Sequence, residues 1–366
     1  MRILHMHTKM VSGGIEAMVC GLVNELVKNN DVTLCTIFKP SPDDVFYNKL
    51  SSNVKKINLG KINFGFSIKE IFNVYKTMRV GRYDIVNIHG CFQYYFFAIL
   101  FLHKKVKFVY TIHSDAKMEN QLWDKRLFEL KKYFFRNRFV MPVTISKTSK
   151  RSFFEVYNCD SSLIFNGASM PIINELNRCV DQYRLTPSTK VFIHPGRISL
   201  AKNQVVLCKV FDRLIKEERD VVLLIAGMKE DKTIFDKMEP YLSNRIVYMG
   251  EVLDIQDVMN QCDGFCLPSI WEGMPISLLE AFSVGCVPIC SPVGGIVDVL
   301  KNGFNGFLSN SPDEKDYYNT MISYLDSSKE TIKDIKNNAY KTFTNFEIST
   351  TAERYEELYI HLLSMK

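Results

Sequence analysis

The stretch WEGMPISLLEAFSVGCVPIC, Trp271–Cys290, reads as a loop, a helix and a strand in direct succession. Pro275 favours the first turn of a helix, where the N–H it lacks would have no partner. An apolar helical pattern follows from Ile276, and Gly285 is a fitting C-terminal stop. The run VPICS is short and apolar throughout, as in a strand buried on both faces of a parallel sheet. Glu272 precedes the helix and Glu280 lies in its second turn, so two carboxylates bracket the helix start.

The same rhythm extends outward in both directions. The second half of the chain carries KVFIHPG, DVVLLIAG, RIVYMG, DGFCLPS and CVPICS. The first half carries RILHMH, DVTLCTIF, YDIVNIHG, VKFVYTIHS and FVMPVTIS, each separated by helical or loop sequence. After RILHMH, the residues Ile15, Met18, Val19, Leu22, Val23, Leu26 and Val27 keep the i, i+3, i+4, i+7 spacing of a one-sided helix. Strands alternating with helices predict an α/β chain of two facing Rossmann-like domains, each with a parallel sheet between helices. The break falls near NGASMPIINEL, which places the first domain at 1–168 and the second at 169–349. The tail, about 350–366, reads as a terminal helix assigned to the first domain.

With 366 residues, 46% of them hydrophobic, the chain can bury two cores. Its charge is uneven. Residues 1–160 hold 25 Lys and Arg against 13 Asp and Glu, whereas residues 161–366 hold 21 against 27. A basic first half points to an anionic partner such as a nucleic acid, a phospholipid surface or a phosphorylated substrate. MRILHMH is too short for a signal peptide and no cleavage site follows, so a cytoplasmic location is expected. No apolar run reaches the ~20 residues of a membrane span. The ten cysteines then read as reduced, packed thiols. The pairs Cys262/Cys266 and Cys286/Cys290 have a zinc-like spacing, but Cys266 and Cys290 fall in strand-like runs. Two aromatic segments stand out: YYFFAILFL from Tyr94 and WDKRLFELKKYFFRNRF from Trp123. Both read as helices covering the first sheet with solvated lysines, or the second as a membrane-surface element.

Three loops carry candidate chemistry. Gly13 and Gly14 follow the first strand and open the first helix, where glycine lets a phosphate approach a helix N-terminus. Gly-Gly also makes ordinary turns, and the G-x-G-x-x-G spacing of a dinucleotide site is absent. In HPGRISLAKNQ, Arg197 and Lys202 lie beyond the carboxyl end of a strand, where open α/β sheets bind ligands. A planar fork and a point charge suit a diphosphate, though surface cations would look the same. After Pro275, the N–H groups of Ile276 and Ser277 are free to meet an anion. If the helix ran back to Glu272, the two glutamates would lie about 12 Å apart along its axis. A glycosidase pair needs ~5–9.5 Å. The wider spacing suits one ligand with hydroxyls at two ends and an anionic middle, such as a nucleotide-diphosphate sugar.

EGMPISLLE resembles the Glu-x7-Glu signature of the retaining glycosyltransferases of family 4, which have the GT-B fold. The resemblance covers nearly the whole chain. SGGIE is similar to the family's N-terminal glycine loop, TIHS to its central histidine segment, and TISKTSKRSF and FNGAS to its pre-linker motifs. GRISLAKN is similar to its Gly-Arg…Lys-Asn loop and PVGGIVDVLKNGFNGFL to its final donor-site segment.

The resemblance implies roles. Glu280 would hold the donor ribose hydroxyls. Glu272 would bind the transferred sugar with the backbone of Gly273 and Met274, and Pro275, Ile276 and Ser277 would line the same donor site. Arg197 and Lys202, beside Gly196, would neutralise the diphosphate, with Gly13 and Gly14 approaching from the other domain. His113, otherwise a satisfied core histidine, would contact the sugar near the reacting carbon. Leu253 would meet the base through its backbone, and Glu16 would lie on the acceptor side. The C-terminal helix would cross back to the first domain. There is no Asp-x-Asp motif, so no metal is implied, and no cofactor. The donor would be a UDP-sugar. The acceptor would be a glycan or lipid-linked hydroxyl in surface polysaccharide synthesis, reached through peripheral contact with an anionic membrane. No nucleic-acid partner is implied. Two rivals remain: an epimerase of the same fold acting on a nucleotide sugar, and an inactive partner subunit.

Overall fold

The computed structural model describes residues 1–42, 44–63, 65–121, 125–173 and 179–365, in two compact units. One unit is Met1–Ser169 with Glu347–Lys366, the other Met170–Phe346. Residues 174–176 of the expected break lie outside the described residues, as do Trp123 and the side chains of Lys125 and Arg126.

The first unit is built on seven parallel strands: β1 (Arg2–His7), β2 (Asp31–Phe38), β3 (Lys55–Lys61), β4 (Ile85–His89), β5 (Lys107–Ile112), β6 (Val140–Thr144) and β7 (Ser162–Leu163). Their order is β3-β2-β1-β4-β5-β6-β7. The second unit has six: β8 (Lys190–Pro195), β9 (Val221–Ala226), β10 (Ile246–Gly250), β11 (Gly264–Leu267), β12 (Val287–Cys290) and β13 (Phe307–Leu308), in the order β10-β9-β8-β11-β12-β13. The sequence reading does not pick out β3. Its KKINLGK alternates polar and apolar at an edge and stays partly exposed, so it lacks the apolar run of the inner strands.

Alternation along β1, β4 and β5 sorts their residues onto two faces. Leu4, Met6, Val86, Ile88, Tyr110 and Ile112 enter an apolar core. The intervening His5, His7, Asn87, His89 and Thr111 are also buried, on the opposite face. Part of that face is closed by the C-terminal helix Ile348–Ser364, which also packs on the helix Gly14–Leu26. Thr111 Oγ1 donates to Asn87 Oδ1 (3.1 Å), so the Tyr355 hydroxyl donates to Thr111 (3.0 Å). Asn87 Nδ2 in turn donates to the Tyr359 hydroxyl at 2.9 Å. The strand residues thus find partners for polar groups that burial would otherwise penalise. The C-terminal helix belongs to the first unit because of them.

The basic-aromatic segment forms the helix Lys125–Arg136, but one of its lysines departs from the sequence reading. Lys131 is buried, with Nζ 2.6 Å from Glu119 Oε1 and 4.4 Å from the Tyr110 ring centroid. Glu119, on the helix Ala116–Gln121, makes an inward-pointing lysine tolerable. Lys131 is therefore neither solvated nor free to meet a membrane. Tyr133, Arg136 and Arg138 stay exposed. Cys262, Cys266, Cys286 and Cys290 are free and buried. Among the described residues no helix is long and apolar enough to cross a membrane.

Candidate functional site

Parallel strands deliver their following loops to one edge of the sheet, the edge where open α/β folds bind ligands. In the second unit, two such loops are tied together. The loop after β8 carries Gly196 and Arg197 and ends in a tight turn at Leu200–Lys202. The loop after β11 carries Ser269, Glu272 and Gly273. Lys202 Nζ donates to Glu272 Oε1 at 2.6 Å, and Ser269 Oγ donates to the same oxygen at 2.6 Å. Asn203 adds bonds from Nδ2 to the carbonyls of Pro268 (3.1 Å) and Pro312 (3.0 Å).

The loop after β12 closes the arrangement from the other side. Gly294 has φ 55°, and a Cβ there would lie 1.9 Å from the Glu272 carbonyl oxygen. Only glycine permits both the left-handed backbone and that approach. Gly295 N then donates to Gly273 O at 2.6 Å. The Glu272–Gly273 backbone is therefore held from two directions.

The helix Ile276–Ser283 starts one residue later than expected, because Pro275 is extended (ψ 122°) and serves as its cap. It does not reach back to Glu272, so an axial spacing between the two glutamates does not apply. By helix geometry the first-turn N–H groups of Ile276 and Ser277 have no carbonyl one turn back. The Met274 and Ile276 side chains are buried. Glu280, in the second turn, accepts from Gln256 Nε2 at 2.6 Å. Leu253 is 58% exposed in the loop after β10. Arg197 Nη1 bonds Glu230 Oε1 at 2.7 Å in a half-exposed pair, which an incoming anion can replace at little cost.

Behind these loops lies His194, fully buried on β8. Its Nδ1 meets the Cys266 carbonyl at 2.8 Å and must donate to it, so its Nε2 accepts from Gln204 at 3.2 Å. Gln204 also donates to the Arg197 carbonyl at 2.9 Å. Sequence reading missed Ser269, Gln204, Gln256 and His194 in this role. The one available signal was a glutamine opening an otherwise apolar helix, at Gln204.

In the first unit, the ends of β1, β4 and β5 bring four histidines together. His5 Nδ1 lies 3.0 Å from His89 Nε2, and His89 Nδ1 lies 2.9 Å from His113 Nε2. His7 Nδ1 donates to the His89 carbonyl at 3.1 Å, and its Nε2 is 3.3 Å from Glu16 Oε1. That last contact is a hydrogen bond only when the pair holds a further proton. Gly14 is the first residue of the helix Gly14–Leu26, and Gly13 its cap. The Glu16 carboxylate lies over Gly13, where an added Cβ would come within 2.3 Å of Oε2. Here the side chain occupying the space at the glycine loop is Glu16.

Two family models match the chain: Glycosyltransferase Family 4 over residues 12–169, and Glycosyl transferases group 1 over residues 180–342. Over 329 residues the chain is 26% identical to the Escherichia coli UDP-Gal:alpha-D-GlcNAc-diphosphoundecaprenol alpha-1,3-galactosyltransferase, covering 82% of this chain and 81% of that one. Over 365 residues it is 23% identical to a Campylobacter jejuni enzyme, GalNAc-alpha-(1->4)-GalNAc-alpha-(1->3)-diNAcBac-PP-undecaprenol alpha-1,4-N-acetyl-D-galactosaminyltransferase, covering 95% of each. In fold it is similar to HepE of Anabaena, solved in complex with UDP and glucose: TM-score 0.81 at 16% identity, over 99% of this chain and 100% of that one.

The buried imidazoles make a pH prediction. Burial holds His5 down to about 3 and His194 to about 4, from an ordinary 6.5, and also lowers the half-buried His113. Unfolding therefore takes up protons once the pH drops below about 6.5; the stability is whole above that pH and is lost as the pH falls. The urea midpoint should be level above about pH 7 and decline from about 6.5 to about 4.5, before most carboxylates protonate. A midpoint flat down to about pH 5 would contradict neutral buried histidines.

Proposed function

The chain belongs to the family 4 glycosyltransferases of GT-B fold, and we propose that it is a retaining, metal-independent enzyme. It moves a sugar from a UDP-sugar to a hydroxyl of a lipid-linked glycan in surface polysaccharide synthesis. The observation that carries this reading is the Lys202–Glu272 pair beside a helix N-terminus at the ligand-binding edge of the second sheet. Lysine has three donors, so Lys202 can keep Glu272 and still meet a phosphate. Arg197 and the N–H groups of Ile276 and Ser277 add donors for the same diphosphate.

Each group then has one task. Glu272 Oε2, which no described residue bonds, accepts from the sugar hydroxyls. Glu280, oriented by Gln256, accepts from the ribose. The anomeric C–O bond breaks with its electron pair going to the diphosphate, where fixed cations and dipoles stabilise the new charge. The acceptor oxygen bonds to the same face of the anomeric carbon, and its proton passes to the departing phosphate oxygen. The E. coli and C. jejuni relatives, both named for undecaprenol-diphosphate acceptors, support a lipid-linked acceptor.

A polyprenyl acceptor calls for contact with a membrane surface. With Lys131 buried, we place that contact on the helices Ile68–Gly81 and Phe96–Leu102. Phe72 meets Phe97 with ring centroids 5.3 Å apart, and Phe97 meets Phe101 at 4.7 Å. Phe72 and Phe101 are both more than half exposed, with Lys69, Lys76, Lys104 and Lys105 exposed around them. Each cation near an anionic bilayer contributes about 1 kcal/mol.

Two predictions follow from these assignments. Glu280→Gln should weaken UDP and UDP-sugar alike, by about tenfold. Glu272→Gln removes a negative charge beside the phosphate cation, so UDP affinity should hold or rise while transfer slows about 10²-fold or more. Calorimetry with UDP decides it; equal weakening by both variants would show that the two roles are wrongly divided. At the membrane, phosphatidylglycerol vesicles should sediment the protein at low salt and release it at high salt. Joint Phe72→Ser and Phe101→Ser substitution should abolish this without changing UDP affinity. Undiminished sedimentation of the double variant would place the contact elsewhere.

A further inference from the structure

His5, His89 and His113 form one unbroken row of hydrogen-bonded imidazoles from the interior of the first sheet to its ligand-binding edge. His5 and His89 are fully buried, and His113 is half-buried. Nothing in the proposed chemistry uses the inner two. Burial lowers the pKa of all three, so each ring is neutral near pH 7 and carries one proton.

That single proton per ring couples their tautomers. A neutral imidazole has one donor and one acceptor nitrogen. If His89 donates from Nδ1 to His113 Nε2, its own Nε2 must accept, and His5 must donate from Nδ1. If His89 donates from Nε2 instead, His113 must donate from Nε2 and His5 must carry its proton on Nε2. Only two states therefore exist for the row: all three rings protonated on Nδ1, or all three on Nε2.

The inner end selects between them. His5 Nε2 is buried and has no hydrogen-bond partner among the described residues. The second state would leave an N–H donor stranded there, and stranded buried N–H groups are the rarer defect in folded proteins. The first state leaves only a bare lone pair. With His5 holding its proton on Nδ1, the outward nitrogen of His113, Nδ1, carries a hydrogen.

We infer that His5 and His89 are positioning residues that hold His113 in its Nδ1–H tautomer, making its outward nitrogen a committed hydrogen-bond donor to an oxygen of the transferred sugar. The row itself stands on geometry alone; the sugar as recipient rests on the role that the family resemblance implies for His113. A donor at this place recognises a hydroxyl or ring oxygen and rejects a group that can only donate. His5, fully buried in the sheet, would thus help to set which sugar is accepted.

The test reads the tautomer directly. The chain has seven histidines, few enough for a long-range 1H–15N spectrum of the 15N-histidine-labelled full-length protein to be assigned by single substitutions. At pH 7 the wild-type protein should show His5, His89 and His113 protonated on Nδ1. A His113 protonated on Nε2 overturns the inference, and this arm needs no variant to fold and no active enzyme. In His5→Asp, an acceptor replaces the inner donor, so His89 should donate inward from Nε2 and His113 should turn to its Nε2–H tautomer. The KM for the sugar donor should rise about 3- to 10-fold, the loss of one hydrogen bond, while UDP affinity is unchanged. His5→Asn keeps an N–H donor facing His89 and should restore both the tautomer and the KM. A His113 tautomer unchanged in a folded His5→Asp protein overturns the relay. A changed tautomer with unchanged KM supports the relay and overturns the sugar contact assigned to His113.

Discussion

The contact between Lys202 and Glu272 organises the second unit's site. It joins loops that leave two neighbouring strands, β8 and β11, and the rest of the local structure serves to keep those loops in register. Ser269 shares the same carboxylate oxygen, Asn203 staples the two loops through the Pro268 carbonyl, and Gly294 leaves room for the Glu272 backbone. A carboxylate bound on one oxygen keeps its other oxygen for a hydroxyl. An ammonium bound once keeps two donors for a phosphate. The pair can therefore receive a sugar diphosphate without first being broken, and Arg197, bonded to Glu230 through Nη1 alone, likewise keeps donors for an anion.

The same contact bears on stereochemistry. Glu272 is steadied by a cation and a hydroxyl, which lowers its readiness to attack carbon and suits it to binding. In the function proposed here, the remaining groups at the site, Arg197, Lys202 and a helix N-terminus, would all favour charge on a leaving diphosphate. A site furnished this way assists departure more than attack. Such a site is compatible with the substitution proposed above, in which the leaving group itself takes the acceptor's proton on the face it has just left.

The fold was legible because most inner parallel strands, above all those of the second sheet, are short apolar runs such as VVLLIA and VPIC. The edge strand β3, with KKINLGK, gave no such signal. The polar face of the first sheet was written in the sequence as RILHMH, YDIVNIHG and VKFVYTIHS, whose C-terminal halves carry a polar residue at every second position (His5 and His7, Asn87 and His89, Thr111 and His113). Reading that pattern needs the knowledge that Tyr355 and Tyr359 return from the C-terminus to satisfy Thr111 and Asn87, and no local rule supplies it. The candidate loops could be located from glycines, prolines and charges. Their partners could not: Gln256 reaches Glu280 and Glu119 reaches Lys131 across separations that only the fold creates. Lys131 shows the cost of reading charge without partners, since composition alone placed it in solvent.

The stereochemistry of transfer tests this picture most directly. The enzyme would be given a UDP-α-sugar and a polyprenyl-diphosphate glycan acceptor, and the anomeric proton of the new linkage followed by NMR from the first turnovers. A product that is α from the outset, with the small H1–H2 coupling of that anomer in a gluco- or galacto-configured sugar, is what a Glu272–Lys202 site assisting same-face departure predicts. A product formed as the β anomer would contradict it, and would require an attacking base on the opposite face of the sugar.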